Sequence, residues 1–267
     1  MRSDLPEPEI QYDVSESGVA TITFARPHAL NALTTDMATR RLPSLCSEVT
    51  EDDRVKAVVL TGEGRGFCSG ADVGERIPDV VGGASAASKQ RLVGAFILPI
   101  WHIPKPVIAA VNGVAAGGGM SIACAADFRI VGEGASFAAA FVRRGLMPDS
   151  GITYLLPRLV PQALATRLLM TGGTLTAAEA HAAGLADEVV PGPDLMQRAF
   201  AFAEELAAGP AVALSFTKRA LQRANGAALA DQLAFESWGQ SVCFRTEDFA
   251  EGISAFRDKR TPVFQGR

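Results

Sequence analysis

The front of the chain is patterned as strands alternating with helices, and the back as helices alone. Two β-rich runs come first, at 10–14 and 19–24, separated by the turn signal Glu16-Ser17-Gly18. In the second run Val19, Thr21 and Thr23 alternate with Ala20, Ile22 and Phe24, a period of two that suits a half-buried strand. Thr34 or Thr35 is placed to N-cap a helix reaching about Thr50. Residues 55–60 are short, apolar and β-branched, the pattern of a strand covered on both faces. Residues 62–70 read as glycine-dense loop and 80–88 as a small-residue stretch with weak pattern, and 88–101 predicts a helix. A further buried strand is expected at 106–111, a small-residue helix at 120–126 and a strand at 128–131. Beyond Gly151 helical patterns cover 152–170, 177–183, 194–208, 211–223, 227–244 and 247–259. This order predicts an α/β core followed by a helical C-terminal part. Phe235, Trp238 and Phe249 on that tail would pack on another subunit or on the chain's own core. No repeat of fixed period stands out.

Composition narrows the class. Hydrophobic residues make up 48% and charged residues 20% of 267, enough for a full-sized core. The net charge of −4 argues against a nucleic-acid partner, which would need a basic surface. Cys46, Cys68, Cys124 and Cys243 are far apart and form no CxxC pair. They read as reduced thiols of a cytoplasmic protein, with no metal site. The polar, proline-containing N-terminus is not expected to be a signal peptide. The run 106–126 carries no charge and has the length of a membrane span. Its asparagine, glycines and leading proline instead predict a buried strand and helix, with no membrane partner.

The chemistry is concentrated at Gly117-Gly118-Gly119, between the expected strand and helix. Glycine costs about 1 kcal/mol relative to alanine inside a helix, so three at a helix entry imply a backbone that approaches something closely. Free N–H groups there suit an anion or a developing oxyanion.

Around this feature the chain resembles the crotonase (enoyl-CoA hydratase/isomerase) superfamily. The resemblance rests on Arg26-Pro27-His28-Ala29-Leu30-Asn31-Ala32-Leu33, on Gly66-Phe67-Cys68-Ser69-Gly70-Ala71-Asp72-Val73, and on Lys105-Pro106-Val107-Ile108-Ala109-Ala110-Val111-Asn112-Gly113 with the triple glycine. It implies a spiral of ββα units over 1–200, a helical trimerisation region over 201–267, and a homotrimer or dimer of trimers. It also implies acyl-CoA thioesters as substrates, CoA being part of the substrate and no other cofactor needed. The backbone N–H groups of Ala71 and Gly118 would form the oxyanion hole that such thioester chemistry requires. Ala29, Leu30, Ser69, Asp72 and Val73 would line the CoA path, with His28 in place of a lysine. Arg26 and Arg65 are candidates for phosphate contacts or for solvated surface. Asp72 could equally cap the next helix, and His102 and His181 read as surface or capping residues.

The hydratases of this family use two glutamates, and Ser121 and Phe141 stand at those positions. Neither can move protons as a carboxylate does. One carboxylate remains nearby, Asp149, in Arg144-Gly145-Leu146-Met147-Pro148-Asp149-Ser150-Gly151. It would serve as acid/base, as an N-cap for the following helix, or both. Phe141 and Met147 would shield it from water. Residues 137–141, Leu155-Leu156-Pro157-Arg158 and the C-terminal segment resemble the ring-epoxide isomerase branch of the family. Three functions are therefore open: an acyl-CoA isomerase using Asp149, a hydratase-like lyase with atypical residues, and a non-catalytic acyl-CoA binder.

Overall fold

The computed structural model describes residues 8–74 and 93–267. Strands β1 (Ile10–Val14) and β2 (Val19–Phe24) form the expected antiparallel hairpin, with Ile10 opposite Phe24. β3 (Ala57–Gly62) runs parallel to β2, and β5 (Val107–Val111), β7 (Phe128–Gly132) and β10 (Glu188–Val190) extend the sheet in that order. A second sheet is built from β4 (Gly66–Cys68), β6 (Val114–Ala116), β8 (Ser136–Ala138) and β9 (Thr174–Thr176). Each of β3, β5 and β7 is followed by a short strand of the second sheet, so the chain winds through successive ββ units, the middle one leading straight into a helix. The residues read as loop at 62–70 contain β4, and the charge-free run at 106–126 divides into β5, β6 and a helix. Among the described residues no single helix is long and apolar enough to cross a membrane.

The large sheet is covered on both faces, as its unbroken apolar strands require. Along β3, Val58 and Leu60 enter the main core, while Ala57 and Val59 face the opposite side. On the main-core side lie α1 (Leu42–Glu51), α2 (Ile97–Trp101) and α3 (Gly118–Ala125). Thr34 caps the first of these segments, its Oγ1 accepting the Met37 N–H at 3.2 Å. A wide π turn at Met37–Arg41 leads into α1, where Pro43 has no N–H to give the regular ladder. The helical run expected at 152–170 is two helices, α4 (Ile152–Leu159) and α5 (Gln162–Thr171), broken at Pro161. The helix expected over 88–101 is seen in its described part as α2; residues 88–92, and the weakly patterned 80–88, lie outside the described residues.

After α6 (Ala177–Ala182), α7 (Leu195–Ala207) closes the other face of the sheet through Leu195, Ala199, Ala203 and Ala207. The boundary expected at residue 200 thus falls inside a core helix, because α7 carries an apolar stripe at four-residue spacing. The outer helices α8 (Ala211–Ala224), α9 (Leu229–Cys243) and α10 (Glu247–Asp258) follow. Lys218 pins α8 to the core: its Nζ donates to Asp127 Oδ2 at 2.7 Å and to the Lys105 carbonyl at 3.1 Å. Burial pulls the Lys218 pKa down, against the attraction of Asp127. Phe216, Phe235 and Trp238 stack between α8 and α9, so the tail does pack partly on its own chain. Trp238, Phe244 and Phe256 nevertheless stay exposed.

The C-terminal segment folds back on α10. Asp248 accepts the N–H groups of Gln265 and Gly266, and Glu251 accepts that of Val263 while pairing with Arg260. The Arg260 hydrogen bonds, then the Val263 N–H, hold the Glu251 carboxyl down at about 2. A depressed folded pKa means this tie is complete above the ordinary value of 4.5 and is lost as pH falls through about 2. Amide exchange at Val263 should therefore accelerate over that window, earlier than exchange at β5, and Glu251→Gln should abolish the difference.

Candidate active site

Ala71 and Gly118, the expected oxyanion donors, lie on two backbone segments pressed together. The first begins with Asn31, fully buried and at φ +59. Its Nδ2 donates to the carbonyls of Glu63 and Gly66, and its Oδ1 accepts the Arg26 N–H. This side chain anchors the approach to β4, which explains the asparagine of the motif. Beyond β4, the Ser69 N–H donates to the Leu30 carbonyl, the Leu33 N–H to the Gly70 carbonyl, and the Asp72 N–H to the Leu33 carbonyl. Ala71 lies between the two groups that bind Leu33, so its own N–H points the other way.

The second segment is the turn from β6 into α3. Gly117 adopts φ +53, ψ −122, and its N–H donates to the Ala138 carbonyl. Gly118 opens the helix, so its N–H has no intrahelical acceptor. The two segments meet at backbone distance. A Cβ on Gly70, at φ +93, would lie 2.8 Å from the Ala116 carbonyl oxygen and 3.3 Å from the Gly118 nitrogen. One on Gly119 would lie 1.9 Å from the Cys68 carbonyl oxygen. The triple glycine thus serves three needs: a positive φ at Gly117, an unobstructed N–H at Gly118, and contact with β4 at Gly119.

Ala71 and Gly118 both line a cavity of about 480 Å³. Of the other expected site residues, Ala29, Ser69, Asp72, Val73, Phe141 and Asp149 also line it. Ser69 is held by its Oγ on the Ala29 carbonyl. Phe96 and Phe141 supply aromatic wall; Phe96 Cζ lies 3.3 Å from where a Cβ on Gly118 would be. Residues not anticipated from the sequence include Arg144, Leu146 and Ser150. Two had a usable signal: Arg144 is one helical step from Phe141, and Ser150 adjoins Asp149.

Five expected contacts are placed elsewhere. Arg26 pairs with Glu9 at 3.0 Å and Asp72 at 2.9 Å and donates to the Ala32 carbonyl, so it braces the loop and does not line the cavity. His28 is exposed, and neither it nor Leu30 lines the cavity, although the Leu30 carbonyl holds Ser69. Ser121 is fully buried inside α3, its Oγ 3.4 Å from the Gly117 carbonyl, and has no access to a ligand. Arg65 is exposed and away from the cavity.

Among the described residues two carboxylates reach the cavity wall. Asp72 is engaged by Arg26 and accepts the Gly74 N–H at 2.9 Å, a turn-closing contact in line with the capping role. Asp149 has no ion-pair partner among the described residues. Its Oδ1 accepts a hydrogen bond from Ser150 Oγ at 2.8 Å. It makes no side-chain cap on α4, whose N-cap is Gly151. Met147 is 77% exposed and gives Asp149 no cover; Phe141, Leu146 and Phe96 are the apolar groups of this wall. His181, at the end of α6, meets the Ala186 carbonyl and His102 is exposed, both outside the cavity. No cluster of three metal-ligating side chains occurs among the described residues.

Successive ββ units wound around a cavity lined by Ala71 and Gly118 match the crotonase fold. The chain belongs to the enoyl-CoA hydratase/isomerase family, whose model matches residues 14–267. It is 39% identical to 1,2-epoxyphenylacetyl-CoA isomerase of Escherichia coli K12, over 94% of this chain and 97% of that protein. It is 40% identical to a probable enoyl-CoA hydratase of Rhodobacter capsulatus, over 97% and 98%. A crystal structure of a putative enoyl-CoA hydratase from Streptomyces coelicolor superposes with a TM-score of 0.92 at 41% identity, covering 99% of this chain and 97% of that one. The members of this family are enzymes that process acyl-CoA thioesters.

The contact between the donor segments sets a stability test. Gly70→Ala should cost about 2–4 kcal/mol, from a positive φ and a clash with fixed backbone. Gly74→Ala, whose Cβ would meet only Asp72 Oδ1, at 3.4 Å, among the described residues, should cost less than about 0.5 kcal/mol. Urea unfolding of the two variants compares them directly.

Proposed function

We propose that the protein is an acyl-CoA isomerase that shifts a double bond or opens a ring epoxide, with Asp149 as acid/base. The observation that carries this reading is the makeup of the cavity wall. Among the described residues Asp149 is its carboxylate without a cationic partner, Phe141 is an apolar wall, and Ser121 is buried in a helix. Hydration across a double bond needs groups that both hold and activate a water. Isomerisation needs one base that moves a proton within the substrate. Asp149 would take a proton from the carbon beside the thioester carbonyl. The electron pair left by that C–H bond delocalises into the carbonyl, and the oxyanion of the dienolate lies on the Ala71 and Gly118 N–H groups. The protonated Asp149 then returns the proton at the far end of the allylic system, leaving the conjugated thioester. The epoxyphenylacetyl-CoA isomerase relative supports an aromatic acyl group as one substrate to test.

Mixing the pure protein with a 3-enoyl-CoA should produce the absorbance of the conjugated 2-enoyl thioester. Asp149→Asn should lower kcat by about 10²- to 10⁴-fold. Absence of isomerisation in the wild type, or full activity in the variant, would overturn the reading. The relatives named as hydratases favour a second reading, and rapid hydration of crotonyl-CoA would select it. Acyl-CoA binding without turnover of either substrate would mark a non-catalytic member.

Assembly as a homotrimer or dimer of trimers belongs to the same proposal. It is supported by the exposed apolar groups Leu229, Leu233, Trp238 and Phe244 along and just after α9. Sedimentation should give three or six times the 28.0 kDa chain mass, and a monomer would refute it.

A further inference from the structure

We propose that Ser150 is a positioning residue for Asp149. Its hydroxyl would fix one carboxylate oxygen so that the other is presented to the substrate. The inference rests on the assignment of Asp149 as acid/base. Ser150 is buried, 8% exposed, and its Oγ lies 2.8 Å from Asp149 Oδ1. The ionised carboxylate can only accept, so the hydroxyl is the donor. The same Oγ lies 3.9 Å from the point a Cβ on Gly118 would occupy. It therefore links the carboxylate to the oxyanion side of the cavity. With Oδ1 occupied, Oδ2 is the oxygen left for proton transfer.

The backbone adds an independent observation. Ser150 sits at φ +52, in the left-handed region where a serine is strained, and Gly151 follows at φ +73. Gly94, at φ +67, packs against it so closely that a Cβ there would lie 3.0 Å from Ser150 Cα. Glycine at 150 would relieve the strain. A side chain held in this conformation next to the proposed base has a use in what its hydroxyl does.

The test compares Ser150→Ala and Ser150→Gly with the wild type in the full-length protein. It reads kcat and KM for 3-enoyl-CoA isomerisation, exchange of the α-proton of the thioester into deuterium oxide, and Tm. Both variants should lower kcat and exchange by about 10- to 100-fold, the range of one hydrogen bond to a charged group. KM should stay within about twofold, and Ser150→Gly should melt no lower than the wild type. A structural role predicts the opposite pairing: wild-type kcat in Ser150→Gly, or kcat falling only together with Tm. Either result would overturn the positioning role while leaving Asp149 in place. A wild type that neither isomerises nor exchanges would remove the Asp149 assignment and this proposal with it.

Discussion

The structure depends on one close contact, in which the backbone leaving β4 lies against the backbone leaving β6 with no side chain between them. Parallel strands sit close enough for ladder hydrogen bonds, but the turns that follow them normally diverge. Here Gly70 meets the Ala116 carbonyl, and Gly119 meets the Cys68 carbonyl at distances no Cβ could share. Both turns are held from behind. Asn31 and the Leu30 and Leu33 backbone hold the first, and the Ala138 carbonyl holds the second. The Ala71 and Gly118 N–H groups are therefore fixed by the fold itself, the condition that the proposed stabilisation of an oxyanion without reorganisation would need.

This contact also orders the rest of the cavity. Phe96 approaches Gly118 closely because it has no side chain, and Ser150 lies just beyond. Asp149 arrives with Ser150 on a turn of two left-handed residues, and Phe141 closes beside Gly117. The wall is thus mixed: the Phe96 and Phe141 rings stand beside a carboxylate that has no ion-pair partner among the described residues.

Much of the fold was legible because its larger elements have a period. β1, β2, β3, β5 and β7 carry alternating or unbroken apolar runs, and each lies within two residues of its expected span. The helices after Gly151 follow from their apolar stripes, apart from the break at Pro161. The short strands β4, β6, β8, β9 and β10 were not legible, since three residues cannot display a period of two and several are flanked by glycine. The site was legible where backbone geometry forces a residue type, as at Gly70 and Gly117–119. Charges misled more. Arg26 resembles a phosphate ligand in sequence, but its partners Glu9 and Asp72 lie far from it along the chain and close in space. Ser150 carried no sign in sequence of its left-handed backbone.

The Arg26 cluster has a mechanical consequence. Glu9 precedes β1, Arg26 follows β2, and Asp72 adjoins the Ala71 donor, so one guanidinium spans the N-terminal hairpin and the oxyanion loop. The hairpin is an edge of the large sheet, the part of a fold that opens most readily. Its fraying would break the Arg26–Asp72 tie, while the Leu33 backbone bonds would still flank Ala71. Arg26 thus couples the edge strand to the loop that carries Ala71, so an opening of the hairpin would loosen one of the two holds on that loop.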